Sequence, residues 1–392
     1  MPHPPVRPAF DRLLHATASL ETPFAVVDAP ALWGNADDLV RRAGGVKIRV
    51  ASKSVRVRSI IDQTLQRDGF AGVMSYSLAE SSWLVDHGLD DVLLAYPTTS
   101  RQGLLDLVAD ERRLAAITVM VDSTESLDHI DSLLGADHPP IRVCIDVDAS
   151  LKLGPVHLGV RRSPVHSARQ ASRLAAAISQ RRGFDLVGVM FYDAQIAGLP
   201  DSSAAVRLVK RRSAAELLDR RAKVVRAVGE HAALEIVNAG GTGSLEVTGQ
   251  DPAITELTAG SGLFSPVLFD GYDAFESHPA AYFVLSVARK PAKDIATLFA
   301  GGYIASGPTN KNRQPLAVWP QGLSPIGTEG AGEVQTPLKG RAARSLSIGD
   351  RVVMRYAKAG EMCERFDQVA VVDGDGIVEL VPTYRGEGRS FG

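Results

Sequence analysis

From about residue 22 the chain alternates short apolar, β-branched runs with longer amphipathic stretches. The runs at 24–28, 47–51, 72–75, 91–95, 117–121, 141–146, 186–191 and 234–238 are almost continuously apolar, as strands buried on both faces are. Between them, 78–87, 123–134, 165–181 and 204–228 carry apolar residues at helical spacing. Strand–helix alternation predicts a parallel sheet. Eight such units over roughly 240 residues fit a closed (β/α)8 barrel of TIM type better than an open doubly wound sheet. After about residue 275 the texture changes to short β-rich runs broken by Gly, Pro, Asn and Asp, at 282–289, 296–301, 351–356, 368–373 and 377–381, which predicts a second, C-terminal all-β domain. The expected division is an α/β barrel over 20–275 and a β domain over 276–392. Residues 1–19 join the β domain in this reading and supply its first strand.

Composition narrows the partners more than the fold. The 392 residues are 45% hydrophobic and 22% charged, with a net charge of −2, so a large core is available and nothing electrostatic selects nucleic acid or an anionic membrane. A small molecule is the expected partner. No apolar run approaches the roughly 18–20 residues that span a bilayer, and the proline-rich first ten residues carry no signal-like apolar segment, which makes a cytoplasmic location the expectation. Cys144 and Cys363 are the two cysteines of the sequence; no disulfide framework is expected.

In a barrel, reactive side chains gather at the C-terminal ends of the strands. Lys53 in ASKSV stands just past the run at 47–51, where partial desolvation makes a lysine a usable amine. An arbitrary lysine after a strand is more often a solvated loop residue, so its context decides. That context is a glycine-rich turn, Asn238, Ala239, Gly240, Gly241, Thr242, Gly243 and Ser244, after an apolar run, and a second turn containing Ser261 and Gly262. Glycines let backbone approach a ligand closely, and free amides with hydroxyls cradle a phosphate. The loops after the last two strands are where such barrels place phosphate. Two glycine turns can also be only turns, but an early amine with late phosphate loops points to pyridoxal phosphate (PLP). Tyr192 and Gln195 end another run and are candidates to face the cofactor, although a half-buried core tyrosine reads much the same.

Together, TPFAVVDAPALWGN, the lysine of VASKSV and GGTGS resemble the PLP-dependent alanine-racemase-like barrel enzymes, in the branch of D-threonine aldolases and D-serine dehydratases. The resemblance implies a Schiff base on Lys53, a phosphate turn at Gly240–Gly243, and cofactor contacts from Asn238, Tyr192, Ser261 and Gly262. It places His157 where the family carries an arginine near the cofactor's phenolic oxygen, Gln195 in place of a histidine, and Thr258 where racemases put an arginine facing the pyridine nitrogen. The branch's divalent-metal ligands fall on Lys358 and Gly360, neither a normal ligand, which implies that the metal is lost and that the Lys358 ammonium takes its place. Glu361 and Cys363 are the fallback ligands, an incomplete set. The implied function is a lyase on small 3-hydroxy-D-amino acids, by retro-aldol cleavage of D-threonine-like or dehydration of D-serine-like substrates. Lys53 then serves as the Cα base, and Gln195 through water or a group near Lys358 acts at the hydroxyl. A head-to-tail homodimer is also implied, with loops 301–307 and 324–336 contributing. An amino-acid racemase of the same barrel, a non-catalytic PLP-binding protein and a metabolite-binding barrel without PLP are the alternatives. The chain lacks the racemase-like tyrosine segment in the β domain, which favours the lyase.

Overall fold

The structure, a computed structural model, describes residues 7–308, 311–358 and 360–392. Eight parallel strands close a barrel: Lys47–Ala51, Phe70–Ser75, Val92–Leu94, Ile117–Val121, Ile141–Asp146, Phe184–Phe191, Ile236–Ala239 and Glu256–Ala259. The last pairs back onto the first with Thr258 opposite Arg49. Among the helices of the barrel's connections, Ala168–Ser179 buries Ala171, Leu174, Ala175 and Ile178, the 3.6-residue stripe its sequence predicts. Serines cap several of these helices: Ser77, Ser123, Ser167 and Ser203 each accept from a first-turn amide. No helix among the described residues is long and apolar enough to cross a membrane.

The other body is a nine-stranded sheet, counted among the described residues, built mainly from the C-terminal part of the chain. The run at 24–28, counted above as the first barrel strand, belongs to this sheet. Phe24–Asp28 pairs antiparallel with Ala281–Ala292 and parallel with Gln368–Asp373. Its alternate residues serve two cores, Ala25 and Val27 on the side shared with the barrel, Phe24 and Val26 on the side covered by Phe10 and Leu13. A strand covered on both faces reads as a continuous apolar run whichever sheet holds it. The eighth barrel strand is instead the four-residue Glu256–Ala259, so the two glycine turns follow the seventh and eighth strands. The segment before residue 20 supplies a helix, Arg7–Ala16, rather than a strand; residues 1–6 lie outside the described residues.

The barrel interior is not wholly apolar. Arg49, 2% exposed, donates to Glu256 at 2.7 Å and Asp91 at 2.7 Å. Burial opposes the guanidinium's charge, but Glu256 and Asp91 outweigh it, so the net shift is upward and Arg49 stays protonated. A buried charge held by hydrogen-bonded partners is tolerated where an unpaired one is not.

Candidate active site

At the C-terminal end of Lys47–Ala51 the chain enters a single 3-10 turn, Ser52–Ser54, that carries Lys53. The turn is held from several sides. Ser52 Oγ donates to Met74 O at 3.0 Å, and Arg56, in a left-handed conformation at φ 55°, donates Nε to Lys53 O at 3.0 Å while pairing with Glu364. Gly360 of the β domain packs onto the same turn; a Cβ there would stand 2.5 Å from the Ser54 carbonyl carbon and 2.9 Å from Lys53 O. The absent side chain therefore lets the 356–361 segment close onto the lysine loop and brings Lys358 to the cavity that Lys53 lines.

That cavity, about 490 Å³, opens among the C-terminal ends of the barrel strands, within the common range for small-ligand sites. Lys53 Nζ donates to Tyr96 Oη at 2.9 Å. Burial pushes the Tyr96 phenol up, but the cations of Lys53 and Arg162 outweigh it and the net shift is downward. The Arg162 guanidinium lies 4.6 Å from the Tyr192 ring centroid and 5.3 Å from that of Tyr96. Tyr192 itself is half-buried, and its phenol is pushed up by the loss of solvent around it.

Glycines shape the far loops. Gly240 takes φ 80°, a Cβ on Gly241 would lie 2.8 Å from Ala197 Cβ, and one on Gly260 would lie 2.4 Å from Ala51 O. The hydroxyls of Thr242 and Ser261 stand 3.4 Å apart across the two loops, and Gly262 N donates to Thr242 Oγ1 at 3.1 Å. Below them, Asn238 Nδ2 donates to Thr258 Oγ1 at 2.7 Å and Glu256 Oε1 at 2.8 Å. The arrangement offers an amine, close-approach backbone loops with hydroxyls and aromatic walls in one space.

Of the residues singled out by sequence, Lys53, Tyr192, Gln195, Asn238, Gly240, Gly241, Thr242, Thr258, Ser261 and Lys358 line this cavity. Gly243 and Gly262 do not; they are packing positions, where a Cβ would stand 2.3 Å from Tyr272 Cε1 and 2.7 Å from Thr242 Cγ2. Gln195 Nε2 donates to Ala149 O at 2.7 Å, and its Oε1 is buried with no partner. His157 is not among the lining residues: it sits on a hairpin, Leu151–Leu153 with Val156–Leu158, its ring beside Ser150 Oγ and Val160 O. Arg162 lines the cavity in its stead. The fallback metal ligands do not converge either. Glu361 Oε2 accepts from Ser306 N at 2.9 Å, and burial pushes the Cys363 thiol up to about 12. Among the described residues no cluster of three or more His, Cys, Asp or Glu could hold a metal ion.

Sequence reasoning missed Tyr76, Tyr96 and Arg162, all of which line the cavity. Tyr96 immediately follows the run at 91–95 and was within reach of the strand-end rule. Arg162 had no such signal, because a hairpin carries it there.

The family model described as alanine racemase, N-terminal domain, matches residues 27–264. The chain belongs to this family. Within the curated proteins it is 25% identical over 291 residues to a D-threonine aldolase of Arthrobacter sp., covering 72% of each chain. Among solved structures it resembles the D-threonine aldolase of Filomicrobium marinum, with a TM-score of 0.80, 21% identity, and 94% and 96% of the two chains covered. It also resembles the D-threo-3-hydroxyaspartate dehydratase of Delftia sp. HT23, with a TM-score of 0.75, 18% identity, and 94% and 98% covered. The family's barrel with a separate, mostly β C-terminal domain is the architecture described above.

Proposed function

We propose that this chain is a PLP-dependent lyase acting on 3-hydroxy-D-amino acids. The observation that carries the reading is the meeting, in one cavity, of the Lys53 amine with the glycine cradle of Gly240, Gly241 and Gly260. The donor set suits the cofactor. Lys53 would bind its aldehyde, the cradle with Thr242 and Ser261 its phosphate, Tyr192 and Arg162 its ring and phenolic oxygen, and the Thr258 hydroxyl its pyridine nitrogen. Bound there, PLP supplies an electron sink for the bond broken at the substrate's Cα. The relatives named D-threonine aldolase and D-threo-3-hydroxyaspartate dehydratase support a lyase on D-amino acids.

The chain's own groups then divide two proton transfers. Lys53 Nζ, 2.9 Å from Tyr96 Oη, takes the Cα proton when the 3-hydroxyl is lost as water. Cleavage of the Cα–Cβ bond instead requires a base at the 3-hydroxyl. A water on the unpartnered Gln195 Oε1 is assigned that role, and the Lys358 ammonium, which lines the same cavity, is assigned to steady the oxygen as its proton leaves. Ile304 and Val334, 41% and 55% exposed on two β-domain loops, are the surface we assign to a second copy of the chain.

The test is a visible spectrum of the purified protein and of Lys53→Ala, followed by product analysis with D-threonine, D-serine and D-threo-3-hydroxyaspartate. A band near about 410–430 nm that vanishes in the variant is expected for a lysine-held cofactor. Glycine with an aldehyde means aldolase, and ammonia with a keto acid means dehydratase. Deuterium entering Cα without loss of carbon or ammonia would make it a racemase, and a colourless protein that PLP cannot reconstitute would overturn the reading.

A further inference from the structure

A second cavity of about 440 Å³ adjoins the first, and Lys358 borders both. Its charged groups do not balance. Arg56 is taken by Glu364 and by Lys53 O, and the Glu361 carboxylate accepts from the Ser306 amide at 2.9 Å. Arg365 lies 5.9 Å from the Tyr303 ring centroid and forms no ion pair among the described residues. Behind the wall of this cavity, not in its lining, stands Arg313, whose carbonyl accepts from the lining residue Ala305 at 2.9 Å and whose Nε and Nη1 are buried with no hydrogen-bond partner. Lys358 feels Arg313 and Lys53 as repelling neighbours and Glu361, then the Tyr96 phenol, as attracting ones. The first cavity repeats the imbalance: Lys53, Arg162 and Lys358 line it, and among the described residues no aspartate or glutamate does.

Like charges held together at partly desolvated positions are unfavourable unless an anion joins them, and guanidinium nitrogens left unsatisfied add to that cost. Two anions are already accounted for, since a cofactor phosphate would use the neutral glycine cradle, and a substrate's α-carboxylate would have Arg162 within the first cavity. The cations at the junction remain.

We propose that Lys358 and Arg313, with Arg365 at the rim, form a subsite for a second carboxylate, so that the two cavities together take a short-chain dicarboxylic ligand. This deepens the lyase reading, on which its catalytic meaning rests: the substrate class becomes 3-hydroxy-D-amino acids bearing an anionic group at the far end. Binding itself can be measured without that reading.

The experiment is isothermal titration of the full chain, with and without added PLP, using succinate and, as the monocarboxylate of equal chain length, butyrate. Succinate is expected to bind at least about tenfold more tightly, the gain ordinary for one additional charge-assisted contact. That advantage should shrink to about twofold or less in Lys358→Met and Arg313→Gln. Equal affinity of the wild type for both acids overturns the subsite, whatever the variants do, as does a preference that survives both substitutions in folded protein. A chain that takes up no cofactor yet prefers succinate removes the lyase and keeps the subsite. A coloured, active lyase that binds both acids equally does the reverse.

Discussion

The two parts of the cavity are made by different means. The cradle comes from two short stretches, 238–244 and 258–262, and depends on backbone shape: glycines where a Cβ would collide, four hydroxyls and no formal charge on its loops. The cationic part draws Lys53, Arg162 and Lys358 from three distant places and depends on docking, with Gly360 seated on the Lys53 turn. Shape at a ligand's anionic end is local in sequence, whereas charge at the reacting end is assembled by tertiary structure. The cradle should therefore fail by losing the cofactor, and the docked part by losing turnover.

The largest effect should come from Gly260→Ala. Its Cβ would stand 2.4 Å from Ala51 O and 3.0 Å from Ala51 Cβ, all within the packed end of two neighbouring strands, so the loop itself must move. Displacing a binding loop by about 1 Å costs roughly a hundredfold, and we expect PLP affinity, followed by absorbance titration, to fall by that order. A variant that binds PLP normally would show the cradle to be more adaptable than its packing implies.

Next is Glu80, which lies under the Lys53 turn and accepts from Tyr76 N at 2.8 Å. Burial raises its carboxyl from 4.5 to about 7, against the hydrogen bonds that lower it. A carboxyl raised on folding contributes stability that is complete below the unfolded value and is lost as pH rises through the folded one. Glu80→Gln keeps an acceptor for Tyr76 and removes the titration. It should match the wild type near about pH 5 and exceed it by on the order of 2 kcal/mol near about pH 8 in chemical denaturation. An equal gain at both pH values would mean that Glu80 is not titrating in this range.

Gly360→Ala tests the docked part directly. A methyl group facing the Lys53 and Ser54 backbone would lift the 356–361 segment and Lys358 with it. Turnover should fall roughly tenfold while PLP affinity stays within about twofold, the split expected when a group that acts only in the reaction is misplaced. Loss of PLP together with turnover would erase the distinction between the two parts.

The same division explains what the sequence made legible. Lys53 and both glycine turns could be found because strand ends and local composition mark them. The identity of the barrel strands was less secure, since Phe24–Asp28 is covered on both faces of another sheet and imitates a barrel strand, while Glu256–Ala259 is too short to stand out. The resemblance points to His157 and not to Arg162, because a hairpin inserted after Asp146 sets which nearby residue reaches the cavity, and no periodicity records that. Lys358 was reached only through a resemblance, and nothing local announces that Gly360 will dock it.

The smallest effect concerns Tyr96, where both kinds of construction meet: a strand-end residue whose charge state is set by cations from elsewhere. Of the eight tyrosines, Tyr76, Tyr192, Tyr272, Tyr282, Tyr303, Tyr356 and Tyr384 are all raised by burial. Tyr96 alone is lowered from 10.0, because Lys53 and Arg162 outweigh its burial. An alkaline ultraviolet titration of the folded protein should therefore show one phenol ionising ahead of the rest, and that step should be missing in Tyr96→Phe. The sign carries over to stability. A phenol lowered on folding contributes most above its unfolded value and loses that contribution as pH falls through the folded one. The wild type should accordingly gain on Tyr96→Phe as pH rises toward about 10, and a stability difference that stays flat over that range would mean the two cations do not act on this ring.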